Sequence, residues 1–208
     1  MSSRTATRRH GHDPFLVVLS SPSGAGKTSI CRGVVRRDSR VAYSVSATTR
    51  PKRPGEVHGR SYFFYSKDRF HRLLKQDGLL EHARVYDYEY GTPKAKVEAA
   101  FKQGRDVIAD LDVQGMRSCK ARLPGTVGVF IITPDLAELD RRLRGRGTDS
   151  AETIRRRQAE IRAELAAIPD FDYLVVNDNL NKAIEDVLAI IRAERLATRR
   201  MARTAGRM

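Results

Sequence analysis

The stretch from residue 15 to residue 37 constrains this chain more than any other. Phe15-Leu-Val-Val-Leu19 is an unbroken apolar run, the pattern of a parallel strand buried on both faces. Ser21-Pro-Ser-Gly-Ala-Gly-Lys-Thr28 comes just after it, and 27–37 then reads as a helix. A Gly-rich turn between a strand and a helix aims backbone N–H groups, and the positive end of the helix dipole, at an anion. Ser21, Pro22, Ser23, Gly24, Ala25, Gly26, Lys27 and Thr28 therefore form a candidate nucleotide-phosphate loop. Gly24 and Gly26 allow close backbone approach, Lys27 can reach the terminal phosphates, and the Thr28 hydroxyl suits Mg²⁺. The usual spacing of this motif puts a glycine at position 21, where this chain has Ser21. Serine serves there provided its φ is negative.

Further apolar runs at 106–111, 127–132 and 173–176 read as buried strands. Helices are expected at 67–75, 94–103, 134–144, 151–167 and 181–195. For the helix from Pro134, Thr133 is the cap, Pro134 fits the first turn and Asp135 faces the positive dipole end. Strands alternating with helices give an α/β fold with a parallel central sheet flanked by helices. Between 44 and 90 the texture changes to Tyr, Thr, Arg and Gly with short alternating segments, as in a small β-rich insertion. A second change, the Arg-dense 141–161, reads as a mobile helical flap. The expected organisation is a basic disordered tail at 1–13, a core at 14–44, 93–140 and 169–197, a lobe at 45–92, a lid at 141–168 and a basic tail at 198–208.

The formal charge of +14 in 208 residues points to anionic partners. Part of it lies in the two tails, where Arg4, Arg8, Arg9, Arg199, Arg200, Arg203 and Arg207 read as solvated charge. At 40% hydrophobic and 31% charged the composition is that of a globular chain. No apolar run approaches the roughly 20 residues of a membrane span. No secretory signal is read in 1–13. Cys31 and Cys119 read as reduced, packed thiols, and a cytoplasmic location is expected. The five histidines show no metal-ligand spacing.

The segment Ser44-Val-Ser-Ala-Thr-Thr-Arg-Pro-Lys-Arg-Pro-Gly-Glu56 is followed by Gly59-Arg-Ser-Tyr-Phe-Phe64, Tyr90-Gly-Thr92 and Asp110-Leu-Asp-Val-Gln-Gly115. Together with the phosphate loop this ordered set closely resembles guanylate kinase, from about residue 15 to about residue 190. The resemblance implies a P-loop kinase fold with a small GMP-binding lobe and a helical lid. It implies Mg²⁺-dependent transfer of the ATP γ-phosphoryl group to GMP, with dGMP a further acceptor. Arg50 and Arg53 would hold the acceptor phosphate by charge-assisted contacts, with Tyr62 and Tyr90 adding hydroxyl donors. Glu81 and Asp110 match the carboxylates that accept from guanine, and Ser46 and Thr92 match its hydroxyl partners. Arg142, Arg146 and Arg157 would act from the lid together with Lys27 and Arg50 in catalysis. Asn177 matches a segment near the adenine. Thr28 would bind Mg²⁺ and Asp112 would serve it through water, although the residues alone leave Asp110 and Asp112 open between guanine and the cation.

Three other readings stand beside this one. A sister P-loop kinase with another phosphorylated acceptor would lack the Glu81, Ser46 and Thr92 set. A non-catalytic phosphopeptide-binding module of the same fold would have lost Lys27, Thr28 or the lid arginines. A nucleic-acid binder would need a base-reading module, and none is recognised. The expected partners are ATP and GMP, with no specific nucleic acid and no membrane. The sequence carries no signal of oligomeric state.

Overall fold

A computed structural model describes residues 11–22, 24–85, 87–134 and 161–205, with side chains through 201. Strand β1 (Leu16–Ser20) is buried along its whole length. It lies at the centre of a five-stranded sheet of order β2-β7-β1-β8-β9, formed with β2 (Val41–Tyr43), β7 (Asp106–Asp110), β8 (Val127–Ile132) and β9 (Tyr173–Val176). All of its pairings are parallel.

The period-2 alternation of β1 assigns its two faces to two helical layers. Val17 and Leu19 pack with Ile30, Cys31 and Val34 of α1 (Lys27–Arg37) and with Ile184, Val187 and Ile191 of the C-terminal helix Leu180–Leu196. Leu16 and Val18 pack on the other face, with Val97 of α3 (Lys94–Lys102) and with Met116 and Cys119 of α4 (Val113–Arg122). The Leu180–Leu196 helix is α5 here. Gly33 lets α1 and α5 meet closely, because a Cβ there would lie 2.2 Å from the Ile184 Cδ1 atom.

Four further strands form a second sheet of order β4-β3-β6-β5. They are β3 (Ala47–Thr48), β4 (Phe63–Phe64), β5 (Leu79–Val85) and β6 (Tyr88–Pro93). Helix α2 (Lys67–Lys75) seats Phe70 against Ala47 and Leu79 of this sheet. Ser66 caps it by accepting from the Arg69 N–H.

Helix α4 is not among the elements expected from sequence. Gly115 lowers its intrinsic propensity. The Asp112 carboxylate starts the helix by accepting from the Gly115 N–H at 2.7 Å. The expected helix from Pro134 and most of that at 151–167 lie outside the described residues. Residues 161–166 are helical.

The tails also differ from expectation. Asp106, at the N-terminal end of β7, is fully buried. It accepts from the Phe15 N–H at 3.2 Å and the Arg195 Nε at 2.7 Å, and hydrogen-bonds His12 Nε2 at 2.7 Å. Arg195 also pairs with Asp38 at 2.5 Å. Residues 11–13 are thus tied to the sheet. At the other terminus Thr198–Ala205 form helix α6. There Arg200 is buried rather than solvated: it bonds Glu194, donates to the Gly125 carbonyl and lies 3.9 Å over the Phe15 ring. The pull of Glu194, together with the Phe15 face, offsets the cost of taking this charge out of water.

Removing one partner of a buried ionic network leaves the other charges uncompensated. Asp106→Ala is expected to destabilise the fold by about 3–5 kcal/mol, read as a lowered urea midpoint. An unchanged midpoint would show that the network contributes nothing.

Candidate functional site

The C-terminal ends of parallel strands are where an α/β sheet gathers ligands. Ser20 and Asp110 end β1 and β7 at this edge, beside a cavity of about 1010 Å³. Its walls come from α1, β2 and β7 and from β5, β6 and the 55–62 stretch of the second sheet's layer.

The phosphate loop borders this edge. Gly24 and Gly26 have φ of 90° and 94°, values that L side chains rarely adopt. Gly26 has a second reason to lack a side chain, since a Cβ there would stand 2.6 Å from the Asn177 Nδ2 atom. Asn177, expected near the adenine, is instead buried behind the loop and donates to the Ala25 carbonyl at 2.8 Å. It can act on a nucleotide through the loop's shape. Ser21 is buried, lies outside the positive-φ set and donates its hydroxyl to the Pro22 carbonyl, so serine fits where the motif has glycine. The Lys27 ammonium spans the loop, donating to the carbonyls of Ser21 and Leu111 at 3.4 Å each. Ser23 lies outside the described residues, as do Arg142, Arg146 and Arg157.

Thr28 and Asp110 meet directly. The Thr28 hydroxyl donates to Asp110 Oδ2 at 2.6 Å, and the Tyr43 hydroxyl donates to Oδ1 at 2.6 Å. Burial, reinforced by the Asp110 charge, pushes the Tyr43 phenol well above its ordinary value, so it remains a donor. Among the described residues no cluster of three or more metal-ligating side chains occurs. A hydroxyl and a carboxylate beside a phosphate loop fit Mg²⁺, which is commonly held by one or two carboxylates together with substrate phosphates. Asp112 has one oxygen committed to capping α4, and its charge acts on Glu81. The family resemblance implied Asp110 for guanine and Asp112 for the cation, a division the residues alone left open; in the structure Asp110 is the carboxylate beside Thr28.

At the second sheet Glu81 is buried and accepts from the Thr92 hydroxyl at 2.7 Å. Burial pushes its carboxyl up to about 7 and the Asp112 charge adds to this, while the Thr92 hydrogen bond pulls the other way. Ser46, Tyr62 and Tyr90 line the same cavity, with the two tyrosine rings edge to face at 5.9 Å. Thr92 is fully buried behind Glu81. Arg50 is buried as well, its guanidinium 5.5 Å from the centre of the Tyr62 ring. It pairs with Glu56 Oε1 at 2.5 Å, and Glu56 Oε2 accepts from the Arg53 N–H at 2.8 Å. The Arg53 side chain is exposed. The Arg50 hydrogen bond holds Glu56 below the ordinary carboxylate range.

Four residues at this site were not assigned from sequence. Arg32 and Arg36 line the cavity one and two turns after Thr28, a stripe that helical spacing makes legible. Glu56 lies inside the recognised Arg-Pro-Gly-Glu run, but only the fold shows it beneath Arg50. Tyr43 ends a strand of three residues, too short to carry a periodic signal.

The guanylate kinase family model matches residues 14–194. This chain belongs to the guanylate kinase family. It is 47% identical over 187 residues to a guanylate kinase of Paramagnetospirillum magneticum, covering 89% of this chain and 87% of that one. It is 48% identical over 180 residues to a guanylate kinase of Alkalilimnicola ehrlichii, covering 86% and 89%. Its fold is similar to the crystal structure of guanylate kinase from Anaplasma phagocytophilum, with a TM-score of 0.73 at 27% identity over 91% of this chain and 90% of that one.

In this member of the guanylate kinase family, Glu56 holds both the Arg50 side chain and the Arg53 backbone. Glu56→Ala is expected to weaken calorimetric binding of a nucleoside monophosphate while leaving ATP binding unchanged. Unaltered monophosphate affinity would remove Glu56 from the site.

Proposed function

We propose that this protein transfers the γ-phosphoryl group of ATP to GMP, giving ADP and GDP, with Mg²⁺ as the cation. The observation that carries this reading is the buried Glu81–Thr92 pair sharing one cavity with the Thr28–Asp110 pair. One end of the cavity is built to accept hydrogen bonds from a base edge, and the other lies beside a phosphate loop.

Guanine presents N1–H and a 2-amino group as donors and O6 as an acceptor. Glu81 and Asp112 accept from the donors, Ser46 supplies a hydroxyl, and Thr92 holds the Glu81 carboxylate from behind. Adenine lacks the N1–H and 2-amino donors that the buried Glu81 would accept from, which is how a polar pocket rejects a wrong base strongly. Arg50 and Arg53, with Tyr62 and Tyr90, hold the acceptor phosphate. The loop amides and Lys27 hold the β- and γ-phosphates of ATP.

A lone pair on a GMP phosphate oxygen forms the new bond to the γ-phosphorus, and the bond to the β,γ-bridging oxygen breaks as ADP departs. A phosphate monoester is largely dianionic at neutral pH, so the chain needs no general base. Its work is positioning and charge stabilisation. Mg²⁺ bound at Thr28 and Asp110 would supply further neutralisation of phosphate charge. Lid arginines Arg142, Arg146 and Arg157 are assigned to the transferred group, and Asp110 is moved from the guanine set to the cation.

The proposed substrates are ATP and GMP, together with dGMP, whose base edge is the same. The buried free thiols Cys31 and Cys119 suit a reducing compartment, and a cytoplasmic location is part of this reading. Among the described residues no helix is long and apolar enough to cross a membrane.

ADP release from ATP, coupled to a reporter and run with GMP, dGMP, AMP or UMP, tests the assignment. GMP is expected to exceed AMP by about 10⁴-fold in kcat/KM, the scale that buried polar readout reaches. Equal rates would overturn it. Lys27→Ala is expected to abolish turnover. The pH dependence follows from Glu81. Its carboxyl titrates at about 7 in the free protein and must be ionised to accept from guanine. Bound guanine then lowers that value, so GMP affinity is expected to rise with pH through about 7 and level off above it. Glu81→Gln should flatten this rise and relax base choice. A Gln variant that keeps both the rise and the preference would exclude Glu81 from the role.

A further inference from the structure

Tyr43, the last residue of β2, sits opposite Ile108 in the parallel pairing with β7. Asp110 is two residues further along β7. Side chains two apart on a strand share a face, so the phenol reaches Asp110 diagonally across the sheet. The Tyr43 ring packs, half-buried, against the core cluster that includes Cys31 of α1, which fixes the position of its hydroxyl. That hydroxyl donates to Asp110 Oδ1 at 2.6 Å while Thr28 donates to Oδ2 at 2.6 Å. An ionised carboxylate only accepts hydrogen bonds. With one O–H donor on each oxygen, Asp110 cannot turn about its terminal torsion without losing a bond. Tyr43 also lines the cavity that contains Ser46 and Glu81.

We propose that Tyr43 is a positioning residue for phosphoryl transfer. Its hydroxyl locks the Asp110 carboxylate in the orientation that presents Oδ2 to Thr28. The wall of the acceptor cavity is thereby tied to the cation-binding edge of the phosphate loop. The inference rests on the reading of Thr28 and Asp110 as the cation side of the site. It adds a residue from β2, a strand that none of the phosphate-contacting segments includes. Loss of the phenolic oxygen leaves Asp110 with one donor and free to swing away from Thr28.

Two variants of the full chain, Tyr43→Phe and Asp110→Asn, separate this role from the reading beneath it. Phenylalanine keeps the packed ring and removes only the hydroxyl. Mn²⁺ binding in the presence of ADP, followed by electron paramagnetic resonance, reads the cation site without turnover. Tyr43→Phe is expected to weaken Mn²⁺ binding by about tenfold, the lower end of what losing a ligand's supporting hydrogen bond costs. The Mg²⁺ concentration for half-maximal turnover should rise by the same factor. GMP binding measured calorimetrically without a divalent cation and the far-ultraviolet circular dichroism spectrum should stay at wild-type values, which a merely structural role would not allow. Weaker Mn²⁺ binding in Asp110→Asn with none in Tyr43→Phe would overturn the role of Tyr43 alone. Unchanged Mn²⁺ binding in both variants would overturn the cation reading of Asp110 together with it.

Discussion

The structure depends on a turn that only small residues can make. Between β1 and α1 the backbone passes through positive φ at Gly24 and Gly26, and the Asn177 amide stands 2.6 Å from where a Gly26 Cβ would be. The same amide holds the Ala25 carbonyl at 2.8 Å. Strand β9 and its following turn therefore support the loop from behind, while the buried β1 anchors it from below. In the proposed function, backbone N–H groups arranged this way would be set before phosphate binds, with no reorganisation needed as charge develops. Everything else at the site is placed relative to this turn.

The second constraint is the cost in free energy of holding like charges close together. The cavity puts Glu81, Asp110 and Asp112 within reach of one ligand, and each carboxyl is managed differently. Asp110 is fixed by two hydroxyl donors, and Asp112 is tied to the start of α4. Glu81 is left with one hydroxyl and a low-dielectric setting, so burial raises it to about 7. At the opposite end of the strands, the Asp106–Arg195–Asp38 network and the Glu194–Arg200 pair close the sheet. The charges there are paired with protein partners, while the buried Arg195 Nη2 has no hydrogen-bond partner among the described residues.

Much of this was legible in the chain itself. The strand–loop–helix at 15–37, the later strands at 106, 127 and 173 and the α/β class follow from apolar runs and glycine placement. The guanylate kinase resemblance rested on ordered motifs, and the same residues, Ser46, Tyr62, Glu81, Tyr90, Asp110 and Asp112, line one cavity. Helix α4 escaped because its nucleus is a capping carboxylate followed by a glycine-containing stretch, where propensity is weak. Arg200 misled because charge density looks alike whether a side chain is solvated or paired across the fold. Arg200 is separated from the Gly125 carbonyl it holds by 75 positions.

The sequence by itself determined the local chemistry: which residues could turn tightly, which runs had to be buried, and which side chains could bind phosphate or read a base. These follow from short-range rules of backbone geometry and hydrophobic period. Only the tertiary structure decided what each acidic group touches. Asp110 and Asp112 are two apart and alike in type, yet one faces Thr28 and Tyr43 while the other caps a helix and acts on Glu81. Tyr43 and Asp110 are 67 positions apart, as are no two residues that a local pattern could relate. Their contact exists because parallel pairing of β2 with β7 sets the register, and register is a property of the assembled sheet.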